Sequence, residues 1–292
     1  LHGTINFPGG GDVTLYETEG KNTFEIATTR LDNQAFDFGN LEVSRGFYQL
    51  SLNGETNVTN IILNPDEPDL FIKFNANRLS ANRTANDSPE NTGWFAYSSE
   101  EFNSNRAIQN LRKSIKDAGA FRSRKEKEQE LITRQHELIA ENPGTYLAKW
   151  LSWKNPQYPG SKGQYFSDID PLDNSAIRSM ALSDRIQTMM RSHSGGSDSG
   201  FLACIDLVKA HFEPNPKALE SVLYTMLDGF YNTGKETICQ YILDNYIFDE
   251  DCGADLSDAI RIRAQGIINL QVGKTPPNFV IPKFDGGTLD LM

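Results

Sequence analysis

The sequence predicts an α+β multidomain protein in which an N-terminal antiparallel β-sandwich is followed by an all-α helical domain. Up to about residue 96, short apolar runs with period-two alternation are separated by Gly, Asn, Asp or Pro, a pattern typical of β-strands. From Ser98 onward the apolar residues recur at helical spacing. With 292 residues, of which 38% are hydrophobic, the chain is long enough to build two cores.

The region 1–96 contains a series of strand-like runs, which begin roughly every ten residues, as in β-sandwiches. These runs are Ile5–Phe7, Val13–Tyr16, Phe24–Ala27, Phe36–Phe38, Phe47–Leu52, Val58–Leu63 and Leu70–Phe74. Turn residues bound each run, so the pattern indicates a β-sandwich or an open barrel. We therefore expect a β-sandwich domain of unknown function over residues 1–96.

Residues 97–271 are expected to form the helical domain. Ser98 with Glu101, and Ser123 with Glu126, fit capping boxes and predict two helix starts, with Gly119 between the helices. Several further helices are predicted after these two. They are Thr145–Trp153, a helix from about Asn174 to Arg191, one opened by Asn215-Pro216, one capped by Thr233 with Glu236, and a last helix over about Asp255–Gln271.

The charge argues against a nucleic acid or anionic lipid partner. The formal net charge is -11 and the isoelectric point is about 4.9. Phosphate backbones and anionic bilayers require clustered Lys and Arg. Residues 1–97 alone carry 13 acidic and 6 basic side chains. We expect no nucleic acid partner.

The last twenty residues, 273–292, resemble the start of another domain. A Pro276-Pro277 pair holds the backbone extended, Phe279 to Ile281 is an apolar strand-like run, and Asp285 opens a turn that leads into a second strand at Thr288. Residues 272–292 are therefore expected to be a linker and the first hairpin of a domain that the chain does not contain.

This segment resembles the opening hairpin of thioredoxin-superfamily domains of the thiol:disulfide interchange and peroxiredoxin-like type. That family shows a run G-x-x-P-P-N-F-x-I-P followed by D-G-x-T-L-x-L, which this chain matches at Gly273–Pro282 and Asp285–Leu291. In that family the hairpin leads into a Cys-x-x-Cys helix N-terminus. This chain has no Cys-x-x-Cys motif.

The order of regions is similar to that of exported thiol:disulfide interchange proteins of Bacteroidetes-type bacteria. Their N-terminal domain shows I-x-G-x-I, V-x-L-Y and G-x-Y-x-L segments, which resemble Leu1–Ile5, Val13–Tyr16 and Gly46–Leu50 here. The resemblance implies residence in the periplasm, or anchoring as a lipoprotein at the outer membrane, with the signal removed. The chain begins without Met, which fits a trimmed N-terminus.

Two pairings of the cysteines have both a functional and a structural interpretation. Cys204 and His211 lie seven residues apart in a helical stretch, so they could share a face as metal ligands, or Cys204 could be a buried thiol. Cys239 and Cys252 could form a disulfide in an oxidising compartment, or stay as two structural thiols.

Two further groups have a functional and a structural interpretation. Asp168, Asp170 and Asp173 could suggest a Ca²⁺ loop, but the glycine and glutamate of an EF-hand are missing, which favours a solvated loop with a helix cap. An aromatic group could stack a sugar or peptide, or could join the two domains. Its members are Trp94, Phe95, Tyr97, Trp150, Trp153, Tyr158 and Tyr165.

These observations lead to one expected function and one alternative. The chain is expected to be the accessory, partner-recognition region of a periplasmic thiol:disulfide oxidoreductase, itself without catalytic, cofactor-binding or metal-binding residues. Its expected partners are the thioredoxin-like domain of the same parent chain, exported protein substrates or redox partners, and a second copy in a homodimer. The alternative is a surface binding module for a carbohydrate or peptide ligand.

Overall fold

The computed structural model describes residues 1–54, 58–67, 69–75, 78–113, 118–154, 161–248, 258–270, 273, 278, 280–283 and 287–290. Sheets come first and helices follow, so the predicted α+β architecture is confirmed. The chain divides into two compact units, Leu1–Met189 and Met190–Met292. The domain boundaries expected after residues 96 and 271 stay a prediction.

Eight strands of the first unit form two four-stranded sheets. The strands are β1 (His2–Asn6), β2 (Gly11–Glu19), β3 (Asn22–Leu31), β4 (Ala35–Asp37), β5 (Gly46–Leu52), β6 (Val58–Leu63), β7 (Phe71–Asn75) and β8 (Thr84–Asn86). Sheet I has the order β4-β1-β7-β8, and sheet II has the order β3-β2-β5-β6. Neighbouring strands are antiparallel except β1 and β7, which run parallel.

The core of the sandwich follows from alternation along the strands. In sheet I, Ile5, Phe36, Ile72 and Phe74 share one face and are at most 4% exposed, whereas intervening residues such as Lys73 are exposed. Sheet II buries Val13, Leu15, Leu50 and Leu52 on one face. Its strands β2 and β5 also bury residues of the opposite face, among them Thr14, Phe47 and Ser51, so sheet II is covered on both sides.

Gly3 allows the central strands of sheet I to pack this closely. A Cβ atom at Gly3 would lie 2.0 Å from the Ile72 carbonyl oxygen and 2.9 Å from the Phe36 ring. Only glycine fits such an approach of backbone to backbone.

The first long helix begins ten residues earlier than the predicted capping box. Helix α1 spans Pro89–Arg112, and the Ser88 hydroxyl caps it by accepting from the Asn91 N–H at 3.1 Å. Ser98 therefore lies inside α1, and its capping role was predicted wrongly. A serine before a proline at the first helical position is itself a start signal, and it was overlooked at Ser88-Pro89.

The second capping prediction was also wrong. Helix α2 spans Ala118–Glu141, so both Ser123 and Gly119 lie within it. Ser123 and Glu126 have the right spacing for a cap, but spacing alone does not distinguish a helix start from a helix interior. Helix α3 spans Tyr146–Lys154, which confirms the prediction of a short helix there.

The rest of the first unit packs a short 3₁₀ helix onto sheet II. The helix predicted from Asn174 to Arg191 is divided into a 3₁₀ segment, Asn174–Arg178, and helix α4, Met180–His193. The Gly20 N–H donates to the Ile177 carbonyl at 2.8 Å, and the buried Arg178 guanidinium pairs with the Glu17 carboxylate. These contacts attach the segment to β2.

Four further helices occur in the described residues of the second unit. They are α5 (Asp198–Phe212), α6 (Pro216–Asn232), α7 (Glu236–Ile242), which continues as one π-helical turn over Leu243–Ile247, and α8 (Asp258–Asn269). Asn215 caps α6 by accepting from the Ala218 N–H at 3.3 Å, as predicted. Thr233 does not cap α7, because its hydroxyl donates to carbonyls at the end of α6.

A two-stranded hairpin closes the described part of the chain. Strands β9 (Val280–Pro282) and β10 (Thr288–Asp290) pair antiparallel, with Leu289 opposite Ile281. The strands predicted at these positions are confirmed. Within the described ranges, no helix has both the length and the apolar character needed to cross a bilayer.

Candidate functional site

A polar cleft in the first unit is the candidate functional site. It has a volume of about 510 Å³ and lies between β6, the loop that precedes β8, and the middle of α1. This volume is within the range of ~300–1,000 Å³ that is usual for ligand sites. Three arginines, Arg78, Arg83 and Arg106, line the cleft, and the described lining contains no Asp or Glu.

Arg83 is the fixed member of the three. Its guanidinium donates to the Thr59 hydroxyl at 2.8 Å and to the Ser98 hydroxyl at 2.5 Å, and it lies 4.5 Å from the centre of the Phe95 ring. All these partners are neutral. Burial lowers the pKa of Arg83 to about 10, so the group still carries its positive charge at neutral pH.

Arg78 and Arg106 are exposed at the mouth of the cleft. The Arg78 guanidinium stacks over the Phe102 ring at 5.2 Å from its centre, which orients the cation without neutralising it. Phe102 and Arg106 are four residues apart on α1 and therefore lie on one face of the helix. The stacked Arg78 and the helix thus bring two exposed cations to one opening.

None of the three guanidinium groups has a carboxylate within 4 Å among the described residues, although many other arginines of the chain do. The whole chain carries a net charge of -11, so the positive charge of this cleft is opposite in sign to the charge of the chain as a whole. Side-chain amides of Gln49, Asn82 and Asn103 also line the cleft, and no partner for them occurs in the described part of the chain. The site therefore offers positive charge and unused hydrogen-bonding groups together.

Side chains of α1 already bond three backbone groups of β6 beside the cleft. The Asn91 side chain accepts from the Ile62 N–H at 2.9 Å and donates to the Ile62 carbonyl at 2.7 Å. The Trp94 indole N–H donates to the Asn60 carbonyl at 2.8 Å. Because β6 is the last strand of sheet II, these side chains occupy an edge that another strand could otherwise use.

Little in the amino-acid sequence indicates this cleft. Its arginines are separated by up to 28 positions and come from a loop and a helix, so no local run of basic residues marks them. Overall acidity pointed away from any basic cluster. The available signal was the pair of arginines, Arg78 and Arg83, in a stretch without acidic residues immediately before the first helix.

The two described cysteines, Cys204 and Cys239, are buried. Cys204 is fully buried in α5, and the described residues contain no group of three His, Cys, Asp or Glu side chains that could hold a metal. The Cys239 sulfur lies 3.9 Å from the Leu227 carbonyl oxygen, and burial raises its pKa to about 11. Cys252 lies outside the described residues, so the Cys239–Cys252 pairing stays open.

The three aspartates of the candidate Ca²⁺ loop have separate structural roles. Asp168 forms an ion pair with the buried Arg185 guanidinium, in which Arg185 Nη1 lies 2.8 Å from Asp168 Oδ2. Asp170 accepts from the Leu172 N–H at 2.9 Å, and Asp173 caps the 3₁₀ segment by accepting from the Ser175 N–H at 3.0 Å. These roles agree with the loop-and-cap interpretation.

The aromatic group forms a packed cluster. Its described members are at most 8% exposed: Trp94, Phe95, Tyr97, Trp150, Trp153 and Tyr165. Phe47 of β5 contacts Trp94, Tyr146 and Trp150 edge to face, with ring centres 4.8–5.5 Å apart. The cluster therefore packs α1 and α3 on sheet II, and Tyr158 lies outside the described residues.

The hairpin of β9 and β10 presents apolar side chains to solvent. Val280, Ile281 and Leu289 are 55%, 42% and 43% exposed. Within the described residues its strands pair only with each other.

Comparisons of the chain with protein-family models, with curated proteins and with solved structures find no match.

Proposed function

We propose that the chain is the accessory and partner-recognition region of an exported thiol:disulfide oxidoreductase of the thioredoxin-like class. The redox domain would continue from the hairpin of β9 and β10 in the parent protein. The parent would reside in the periplasm or be anchored as a lipoprotein at the outer membrane. Partners would be that redox domain, exported protein substrates or redox partners, and a second copy of the chain.

The exposed hairpin is the observation that carries this proposal. Isolated two-stranded hairpins are marginally stable in water, and apolar strands normally bury one face. Val280, Ile281 and Leu289 expose much of their apolar surface, so the hairpin is suited to join a larger sheet. Its sequence is the segment that resembles the opening hairpin of thioredoxin-like domains.

The described thiols support a non-catalytic role for this region. A redox-active cysteine needs an accessible thiolate, and the usual device is a lowered pKa. Cys204 and Cys239 are buried, and the pKa of Cys239 is raised to about 11. We assign the redox chemistry of the parent to the thioredoxin-like domain.

Reduction of insulin disulfides tests the proposal. Residues 1–292 and the longer parent protein are compared at equal concentration, with Cys204→Ser and Cys239→Ser variants of the parent as controls. We expect activity in the parent and in both variants, and none in residues 1–292. Activity in residues 1–292, or inactivity of both proteins, contradicts the proposal.

The alternative is a surface binding module for a carbohydrate or peptide, with the hairpin serving as part of a linker. The arginine cleft favours it, since Arg78, Arg83 and Arg106 have no carboxylate partner among the described residues. Binding to a glycan or peptide array that survives deletion of the residues after 272 supports this function. Loss of all array binding on that deletion counts against it.

A further inference from the structure

We infer that the arginine cleft binds a carbohydrate that carries carboxylate groups, such as a uronate oligosaccharide. The inference deepens the proposed binding-module function and does not depend on the redox proposal.

The charge of the cleft selects an anion. Three guanidinium groups face one opening without a carboxylate partner in the described residues, so their charges repel one another until an anion enters. Guanidinium groups bind carboxylates through two parallel hydrogen bonds, which makes them selective for planar anions. Arg83 is held by neutral hydroxyls, and Arg78 is held over Phe102, so both cations are oriented in advance.

The position of the cleft on α1 disfavours a phosphate ligand. Phosphate sites commonly use the N–H groups at a helix N-terminus. The cleft is lined by Ser98, Phe102 and Arg106 from the middle of α1, whereas its N-terminus is capped by Ser88. The positive charge therefore comes from side chains alone.

The neutral lining favours a sugar over a peptide. An extended peptide would gain most from adding a strand to the edge of β6, but Asn91 already bonds both backbone groups of Ile62, and Trp94 bonds the Asn60 carbonyl. Unused amides at Gln49, Asn82 and Asn103 can instead bind hydroxyl groups. Phe102 is 51% exposed and offers apolar surface to a sugar ring beside the stacked Arg78 guanidinium.

Calorimetric titration of residues 1–292 with trigalacturonate tests the inference. The matched ligands are its fully methyl-esterified form, which keeps the sugar rings and loses the charge, a triglutamate peptide, and inorganic phosphate. We expect binding of trigalacturonate that is weakened about tenfold or more by esterification, as for loss of charge-assisted hydrogen bonds. We also expect weaker binding of the peptide and of phosphate.

Variants of the exposed arginines locate the binding site. Arg78→Gln and Arg106→Gln are each expected to weaken trigalacturonate binding about tenfold. Arg122→Gln, which removes an exposed arginine of α2 outside the cleft, is the matched charge control and should leave binding unchanged. Equal thermal midpoints for the three variants show that folding is intact.

Any of four results would overturn the inference. The first is no binding of trigalacturonate, and the second is equal binding of its methyl ester. The third is tighter binding of triglutamate or phosphate, and the fourth is an equal loss of binding in Arg122→Gln. None of these results bears on insulin reduction by the parent protein, so the two proposals fail separately.

Discussion

The side-chain amide of Asn91 pairs with both backbone polar groups of Ile62. Its oxygen accepts from the Ile62 N–H at 2.9 Å, and its nitrogen donates to the Ile62 carbonyl at 2.7 Å. Asn91 is fully buried, so the amide acts as one residue of an additional strand beside β6. A helix thus completes the hydrogen bonding of a sheet edge in place of a neighbouring strand.

Replacement of Asn91 by Leu should therefore be strongly destabilising. The change leaves the N–H and the carbonyl of Ile62 buried without partners, at about 1–3 kcal/mol for each group. We expect the free energy of unfolding in urea to fall by about 2–4 kcal/mol. The matched control is Asn110→Leu at an exposed position of the same helix, where the effect should stay within about 0.5 kcal/mol. Equal effects of the two changes would contradict the proposed role.

Glu90 caps a helix that lies 56 residues further along the chain. Its buried carboxylate accepts from the Tyr146 N–H at 2.7 Å and from the Leu147 N–H at 3.1 Å, both at the start of α3. Glu90→Gln replaces one acceptor oxygen by an NH₂ group and removes the charge that interacts favourably with the helix N-terminus. We expect a loss of about 1–3 kcal/mol in urea unfolding. The exposed Glu126→Gln should cause little change, and a similar loss there would disprove the capping role.

Alkaline pH should destabilise the first unit through buried tyrosines. Burial raises the pKa of Tyr146 and of Tyr97 well above the usual value, and the Glu101 charge adds to the effect on Tyr97. In the unfolded chain these groups lose their protons near pH 10, whereas in the folded chain they keep them. Stability is therefore complete below about pH 10 and falls as the pH rises further.

Urea midpoints measured between pH 8 and pH 11 test this expectation. Tyr146→Phe should reduce the alkaline loss of stability, although it also removes the hydrogen bond from the Tyr146 hydroxyl to the Ser175 carbonyl. Tyr16→Phe, at a half-buried position in β2, is the control and should leave the alkaline loss unchanged. An unchanged pH profile in Tyr146→Phe would contradict the prediction.

Acid should destabilise the 3₁₀ segment through Asp173. Burial acts to raise the pKa of this carboxyl, but hydrogen bonds from the Ser175 hydroxyl and N–H and from the Lys149 ammonium, at 2.6, 3.0 and 2.9 Å, outweigh it and lower the pKa. A lowered pKa contributes stability above about pH 4 that is lost as the pH falls.

The comparison of Asp173→Asn with the native chain checks this contribution. Asp173→Asn should lose about 1 kcal/mol at pH 7 and show a smaller further loss between pH 6 and pH 3 than the native chain. Asp32→Asn, at an exposed position, serves as the control. If both variants follow the native acid profile, the lowered pKa of Asp173 has no role in stability.

Much of the fold was predictable because its signals are local. Alternation in runs such as Phe47–Leu52 marked seven of the strands in sheets I and II, and Asn215-Pro216 marked the start of α6. The polar strand Thr84–Asn86 was missed because it has no apolar alternation. The predictions of helix caps at Ser98 and Ser123 were wrong because a serine and a glutamate three residues apart also occur inside helices.

The candidate site was not predictable for a different reason. Arg78, Arg83 and Arg106 become neighbours only when α1 packs beside β6, and that packing depends on long-range pairs such as Asn91 with Ile62. A single sequence does not encode such pairs in any local spacing. Net charge also averages over the surface, so it concealed a basic cleft in an acidic chain.

The tryptophans of the aromatic cluster around Phe47 are an intrinsic fluorescent probe of one unit of the chain. The chain has three tryptophans, Trp94, Trp150 and Trp153, and all of them belong to the unit Leu1–Met189. Indole emission during denaturation thus reports on the sandwich with its first helices, and Met190–Met292 contributes no indole signal. Circular dichroism at 222 nm, which detects helices in both units, can then be compared with fluorescence to establish whether the two units melt together or in separate steps.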